Sequence, residues 1–276
     1  MRWFRKPPKT GLEQRLQLLQ QWLGAGSGSN SDNYSGNYSG NYLWRSERSH
    51  IEHELHFIFG YHACQMTIDP QAGLLDNCQI SRRFLLNPGI SVEPDKTGLT
   101  SMTVDPYNWP VCPGSLDLVL LHHVLEFSER PHRLLSEAAN TIIPGGKLMI
   151  VGFNPWSLAS LSRWILPSHR KALRGTHFLS PVRMRDWLTL LGFNVGRIHH
   201  GAYLFPLDRL FKGVSGELLE QRCKHWLLPL GGYYVMLATR EVHGITPIKR
   251  GWPDVGRRFV PNPIARPSAG RIGDHT

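Results

Sequence analysis

The residues best equipped for chemistry gather around position 122. The apolar run Leu116-Asp-Leu-Val-Leu-Leu ends in His122 and His123, and Glu126 follows three residues later. An imidazole titrates near neutral pH, so His122, His123 and Glu126 are the candidate general bases for a substrate that must give up a proton. The plainer alternative for His122 is a buried, hydrogen-bonded histidine. Asn154, in Gly-Phe-Asn-Pro after the next apolar run, is a candidate for orienting an acceptor through its carboxamide. Asp105 stands before Pro106 and reads either as a ligand-binding carboxylate or as a turn residue. The chain has 14 histidines, which raises the question of a metal. His50, His53 and His56 recur every three residues with Glu52 and Glu54 nearby, but they do not form HExxH and no further ligand set accompanies them. No metal is expected; a solvated helix face is the reading.

These residues need elements to hold them. Apolar runs predict strands at Ala63–Ile68, Arg83–Asn87, Ser101–Asp105, Leu116–His122, Lys147–Phe153, Asn194–Tyr203 and Tyr233–Arg240. Several run without alternation, as strands buried on both faces do. Helical spacing places helices at 46–59, 131–143, 157–165, 181–191 and 208–227, and Leu12, Leu16, Leu19 and Leu23 predict another at 11–23. Strands alternating with helices imply an α/β fold with a doubly wound, mostly parallel sheet. Ligands of such sheets bind at the carboxyl ends of the strands, which is where His122 should stand.

Composition frames the rest. The chain has 276 residues, is 41% hydrophobic and 19% charged, and carries a formal charge of +10. That composition excludes a disordered or fibrous protein. The excess charge is terminal. Residues 1–9 hold four basic side chains and no acid, and residues 243–276 hold six basic against two acidic, which leaves the body between them nearly neutral. Basic ends of this kind are either solvated or make weak contact with nucleic acid or anionic lipid. Residues 24–45 are a Gly/Ser/Asn/Tyr stretch with a repeated Tyr-Ser-Gly-Asn unit, which cannot build a core and reads as a linker. The expected organisation is a basic N-terminus and helix over 1–23, the linker over 24–45, a folded domain over 46–242 and a basic tail over 243–276. No secretory signal pattern is seen, no apolar run approaches about 18 residues, and the four cysteines form no CxxC pair, so a cytoplasmic location is expected.

One ordered set is specific. Asp105 closes a strand, a loop with Pro110 leads into Leu116–His122, Pro131 opens a helix, and Pro144-Gly145-Gly146 turns the chain into Lys147–Phe153. This order resembles the class I S-adenosylmethionine-dependent methyltransferases, over roughly residues 50–242. The resemblance implies a Rossmann-like sheet of seven strands whose last, Tyr233–Arg240, inserts antiparallel beside the fifth, with N-terminal helices added. It implies S-adenosyl-L-methionine as cofactor and a small-molecule or otherwise unidentified methyl acceptor. It maps the adenine-binding carboxylate onto Asp105 and a cleft-lining residue onto His122. The family's Gly-rich loop after the first strand falls on Asp69-Pro70-Gln71-Ala72-Gly73, where Asp69 and Gly73 are what remains of it. The acid that usually grips the ribose falls on Asn87, which can hydrogen-bond a hydroxyl without the charge-assisted pair. These departures set a second reading beside the enzyme: a non-catalytic methyltransferase-like binding module whose basic ends contact RNA or a protein partner.

Overall fold

Leu43, Ile51 and Leu55 lie at multiples of four residues and all are buried, which gives the helix Tyr42–Leu55 (α1) an apolar stripe to lay on a sheet. The computed structural model describes residues 42–68, 73–88, 99–157, 160, 176–203 and 230–242. These all belong to the first of two units into which the chain divides, Met1–Val242 and His243–Thr276. The expected helices over 11–23 and 208–227, nearly all of the one over 157–165, the repeats before Tyr42 and the basic tail lie outside the described residues.

Seven strands form one sheet: β1 (His62–Thr67), β2 (Arg82–Pro88), β3 (Thr100–Val104), β4 (Leu116–His122), β5 (Ile142–Phe153), β6 (Phe193–Gly201) and β7 (Tyr233–Arg240). Their order is β3-β2-β1-β4-β5-β7-β6. The ladders from β3 through β5 are parallel, and β7 runs antiparallel to both β5 and β6. Burial follows position. The inner strands β1 and β4 are closed off almost throughout, whereas the edge strand β3 (Thr100-Ser-Met-Thr-Val) exposes all but Val104. Among the described residues, the helices Pro131–Thr141 (α2) and Pro181–Leu190 (α3) complete the crossovers. Both carry Pro in the first turn, and Ser180 caps α3 by accepting from the Arg183 N–H at 3.3 Å.

The expected fold class and strand count hold, and β7 lies antiparallel beside the fifth strand. Most ends lie within two residues of expectation; the larger differences are at the first helix, which also ends at Leu55 rather than at 59, and at the fifth strand. The helix expected at 46–59 begins at Tyr42, because Leu43 and Trp44 extend its buried stripe; residues 42–45, read as linker, are therefore helical. The fifth strand begins at Ile142 rather than Lys147, since Ile142 already pairs with Leu116 before the register shifts. Among the described residues no helix is long and apolar enough to cross a membrane.

Two features fix the site's floor. The chain leaves β1 for β2 and β3 on one side, then returns so that β4 joins the other edge of β1, which opens a crevice where the directions diverge. At the opposite end, the Asp117 carboxylate accepts from the Tyr61 and His62 N–H groups at 2.8 and 2.9 Å. Gly60 permits this approach, since a Cβ there would stand 2.4 Å from the Asp117 Cβ. Asp117→Ala should therefore cost ~1–3 kcal/mol in a denaturant melt; a loss below about 0.5 kcal/mol would show that the turn into β1 does not rely on this carboxylate.

Candidate functional site

The β1–β4 ladder ends on the pair Thr67 and His122, at the carboxyl ends of both strands. His123 follows with φ of 56°, a left-handed conformation that a non-glycine residue adopts only when its surroundings dictate it. Its N–H still donates to the Val151 carbonyl, so the kink turns the side chain while the backbone stays tied to β5. His122 and His123 are both wholly buried.

What meets them is Glu47 of α1, also fully buried. Its two carboxylate oxygens divide between the rings: Oε2 lies 3.3 Å from His122 Nε2 and Oε1 lies 3.1 Å from His123 Nε2. The far side of His122 is occupied, with Nδ1 at 3.0 Å from the Thr67 hydroxyl. The far side of His123 points toward Glu126, but Nδ1 to Oε1 is 3.6 Å, beyond a hydrogen bond. Glu126 Oε1 instead accepts from the Phe153 N–H at 2.7 Å. Gly152 leaves room for this, because a Cβ there would meet Glu126 Oε1 at 2.7 Å and the Tyr234 hydroxyl at 2.8 Å. Aromatic rings wall the group. Phe153 stacks on His123 with centroids 3.9 Å apart, and Trp44 lies against both imidazoles at 5.0 and 5.8 Å.

Electrostatics separates the two histidines. Burial disfavours the charged form of each. For His122 burial prevails, helped by the neighbouring His123, and its pKa is lowered. For His123 burial is outweighed by Glu47 and Glu126, and its pKa is raised to about 9. Burial also opposes the Glu47 charge, but His123 and the hydrogen bonds from both rings overcome it, so the Glu47 pKa is lowered. In the metal-free protein the group is thus a buried pair of Glu47 carboxylate and His123 imidazolium beside a neutral His122. Burial, then the nearby Glu126, pushes the Tyr234 phenol up, so it stays neutral.

The other sequence-predicted residues stand at the ends of neighbouring strands. Asn87 is the last residue but one of β2, opposite Thr103; it is 1% exposed, yet its Oδ1 has no hydrogen-bond partner. Asp105 follows β3 with its side chain exposed, and Oδ1 accepts from the Tyr107 N–H at 2.9 Å, which is a turn contact. Gly73 opens the turn whose Leu74 N–H donates to Gln65 Oε1 at 3.2 Å. Asp69 lies outside the described residues. Asn154 sits apart from the histidines in its bonding: Nδ2 donates to the Gly231 carbonyl and Oδ1 accepts from the Trp156 N–H, so the carboxamide pins one loop to the turn before β7. Among His50, His53 and His56, His50 bonds the Tyr233 hydroxyl at 2.6 Å while His53 and His56 pack on Phe57.

Glu47, Trp44 and Thr67 are absent from the sequence-based candidates. Glu47 left one legible trace: it is a carboxylate in the middle of the stripe Leu43, Glu47, Ile51, Leu55, where a charge must find a buried partner.

Comparison with known proteins bears on the same strands. Residues 67–150 match the family model described as a methyltransferase domain, which spans from the end of β1 to β5. An uncharacterized Escherichia coli K12 protein, YafS, is 37% identical over 91 residues, which is 33% of this chain and 38% of that relative's length. An S-adenosylmethionine-dependent methyltransferase of Mesorhizobium loti shares the fold at TM-score 0.51 with 14% identity, covering 74% of this chain and 100% of that one. The geranyl diphosphate C-methyltransferase of Streptomyces coelicolor, solved with Mg2+, geranyl diphosphate and S-adenosyl-L-homocysteine, does so at TM-score 0.51 with 12% identity, covering 87% and 100%.

The charge arrangement predicts a pH profile for protein stripped of divalent ions. The folded His123 pKa exceeds that of an unfolded histidine, about 6.5, so its contribution is complete below about 6.5 and is lost as pH rises through about 9. Denaturant melts should lose about 3 kcal/mol across that window, and Glu47→Gln should remove most of the slope. A wild-type profile that is flat from pH 6.5 to 9 would contradict the buried imidazolium.

Proposed function

We propose that this chain is a class I S-adenosylmethionine-dependent methyltransferase that transfers a methyl group from S-adenosyl-L-methionine to a small-molecule acceptor; its sheet order and its methyltransferase-domain segment support the reading. The observation that carries the reading is Asn87. A buried carboxamide oxygen without a partner, at the carboxyl end of the strand next to the switch point, is an acceptor in want of a donor such as a ribose hydroxyl. Asp105, exposed at the end of β3, has carboxylate capacity beyond the Tyr107 contact with which to accept from an exocyclic amine.

When bound, the cofactor supplies an electrophilic methyl on a sulfonium, and such a transfer depends on alignment more than on acid–base machinery. The chain's own contribution is therefore to orient and to exclude water. Trp44 and Phe153 wall the end of β4 with aromatic surface, and α1 covers it. His122, lowered in pKa and so neutral, has both ring nitrogens engaged, by the Thr67 hydroxyl and the Glu47 carboxylate, so its part is to hold the wall of the crevice rather than to take a proton. The basic segments 1–9 and 243–276 are proposed as arms for weak contact with an anionic partner.

Calorimetric titration with S-adenosylmethionine and S-adenosylhomocysteine tests the reading. Saturable binding is expected, and Asn87→Ala and Asp105→Ala should each weaken it by about 1–3 kcal/mol. Absence of heat and of any thermal shift at millimolar ligand would overturn the enzyme reading in favour of a methyltransferase-like binding module.

A further inference from the structure

We infer that Glu47, His122 and His123 form a binding site for one divalent transition-metal ion. Their donor atoms all lie within 4.8 Å of one another, and all three residues are buried. Among the described residues no other set of histidine, cysteine or carboxylate groups converges in this way.

The distances suit coordination. Bonds of about 2.0–2.1 Å in a tetrahedral sphere separate neighbouring donors by about 3.3–3.5 Å. Glu47 Oε2 to His122 Nε2 is 3.3 Å and Glu47 Oε1 to His123 Nε2 is 3.1 Å, so one carboxylate reaches both imidazoles at about the spacing of neighbouring donors. Both rings turn the same nitrogen, Nε2, toward the Glu47 carboxylate. Both hold an oxygen behind Nδ1: the Thr67 hydroxyl for His122 and the Glu126 carboxylate for His123. The hydroxyl is within hydrogen-bond distance of His122 Nδ1, and Glu126, 3.6 Å from His123 Nδ1, stands where the outer partner of a metal-ligating histidine usually does.

A purely hydrogen-bonded reading leaves two observations without an account. His123 Nδ1 and Glu126 Oε2 are buried and lack hydrogen-bond partners. With an ion on His123 Nε2, the proton of that ring would sit on Nδ1, on the side that faces Glu126. Two imidazoles and one carboxylate favour zinc and its first-row neighbours over calcium or magnesium, which collect oxygens. Three protein ligands leave one tetrahedral position for a small exogenous donor.

The test uses full-length untagged protein dialysed against a chelator, titrated with Co2+ and followed by its visible absorption. One equivalent per chain should bind with d–d bands of a four- or five-coordinate nitrogen and oxygen set, and Zn2+ should displace it. Glu47→Gln and His122→Gln should each weaken binding at least 100-fold, and Glu126→Gln by 10–100-fold as an outer-sphere change. His53→Gln, at an exposed histidine, should bind as wild type. Circular dichroism checks folding; if Glu47→Gln unfolds, Glu126→Gln and the wild-type titration decide. Wild type that takes up no stoichiometric ion, or whose binding survives in folded Glu47→Gln or falls in His53→Gln, would overturn the site. None of these readouts involves S-adenosylmethionine, so the outcome stands apart from that of the cofactor titration.

Discussion

A carboxylate cannot be buried alone, and Glu47 is buried. Removing an ionised carboxyl from water costs several kcal/mol, which only a close, well-placed partner offsets. Glu47 sits in the apolar stripe of α1, so laying that stripe on the sheet brings the carboxylate down on the ends of β1 and β4. The two histidines meet it there. This single requirement sets where along the sheet α1 rests, why His123 accepts a left-handed backbone, and why Trp44 closes over the imidazoles. Side contacts then hold the orientation of α1: Ser46 and His50 both reach the Tyr233 hydroxyl, and Glu54 reaches His199.

The place where these groups converge is also where doubly wound sheets hold ligands. The sheet order matches that of the methyltransferase structures it resembles, and fold similarity leaves open which groups stand at the strand ends. Asn87 is buried near the end of β2, and the ends of β1 and β4 carry a buried Glu–His–His group. Such a group stiffens the region and raises the local stakes of any change, because leaving one member unpaired costs far more than the net worth of the intact set. Fold alone does not select an acceptor; the chemistry lies in the side chains placed on that frame.

Much of the frame was legible in the sequence. Leu116–His122 and Tyr233–Arg240 were found to the residue, since continuous apolar runs bounded by turns admit few other readings. Where boundaries moved most, tertiary pairing decided. Ile142 joins the sheet because Leu116 lies across from it, and Tyr42 begins α1 because Leu43 and Trp44 have a sheet to cover. His122, His123 and Glu126 were legible as chemistry because they follow a strand end. Glu47 was not, because its partners are 75 and 76 residues away and no spacing rule links them. Asn154 shows the converse: its position after β5 suggested an orienting role, and its carboxamide is bound at both ends to backbone.

The most direct measurement is a double-mutant cycle on folding free energy with Glu47→Gln, His123→Asn and the pair, in metal-free protein at pH 7. If the buried carboxylate–imidazolium contact anchors α1, the two residues should couple by about 2–3 kcal/mol, the double variant being far less destabilised than the sum of the singles. Losses that add to within about 0.5 kcal/mol would contradict it and return the placement of α1 to apolar packing alone.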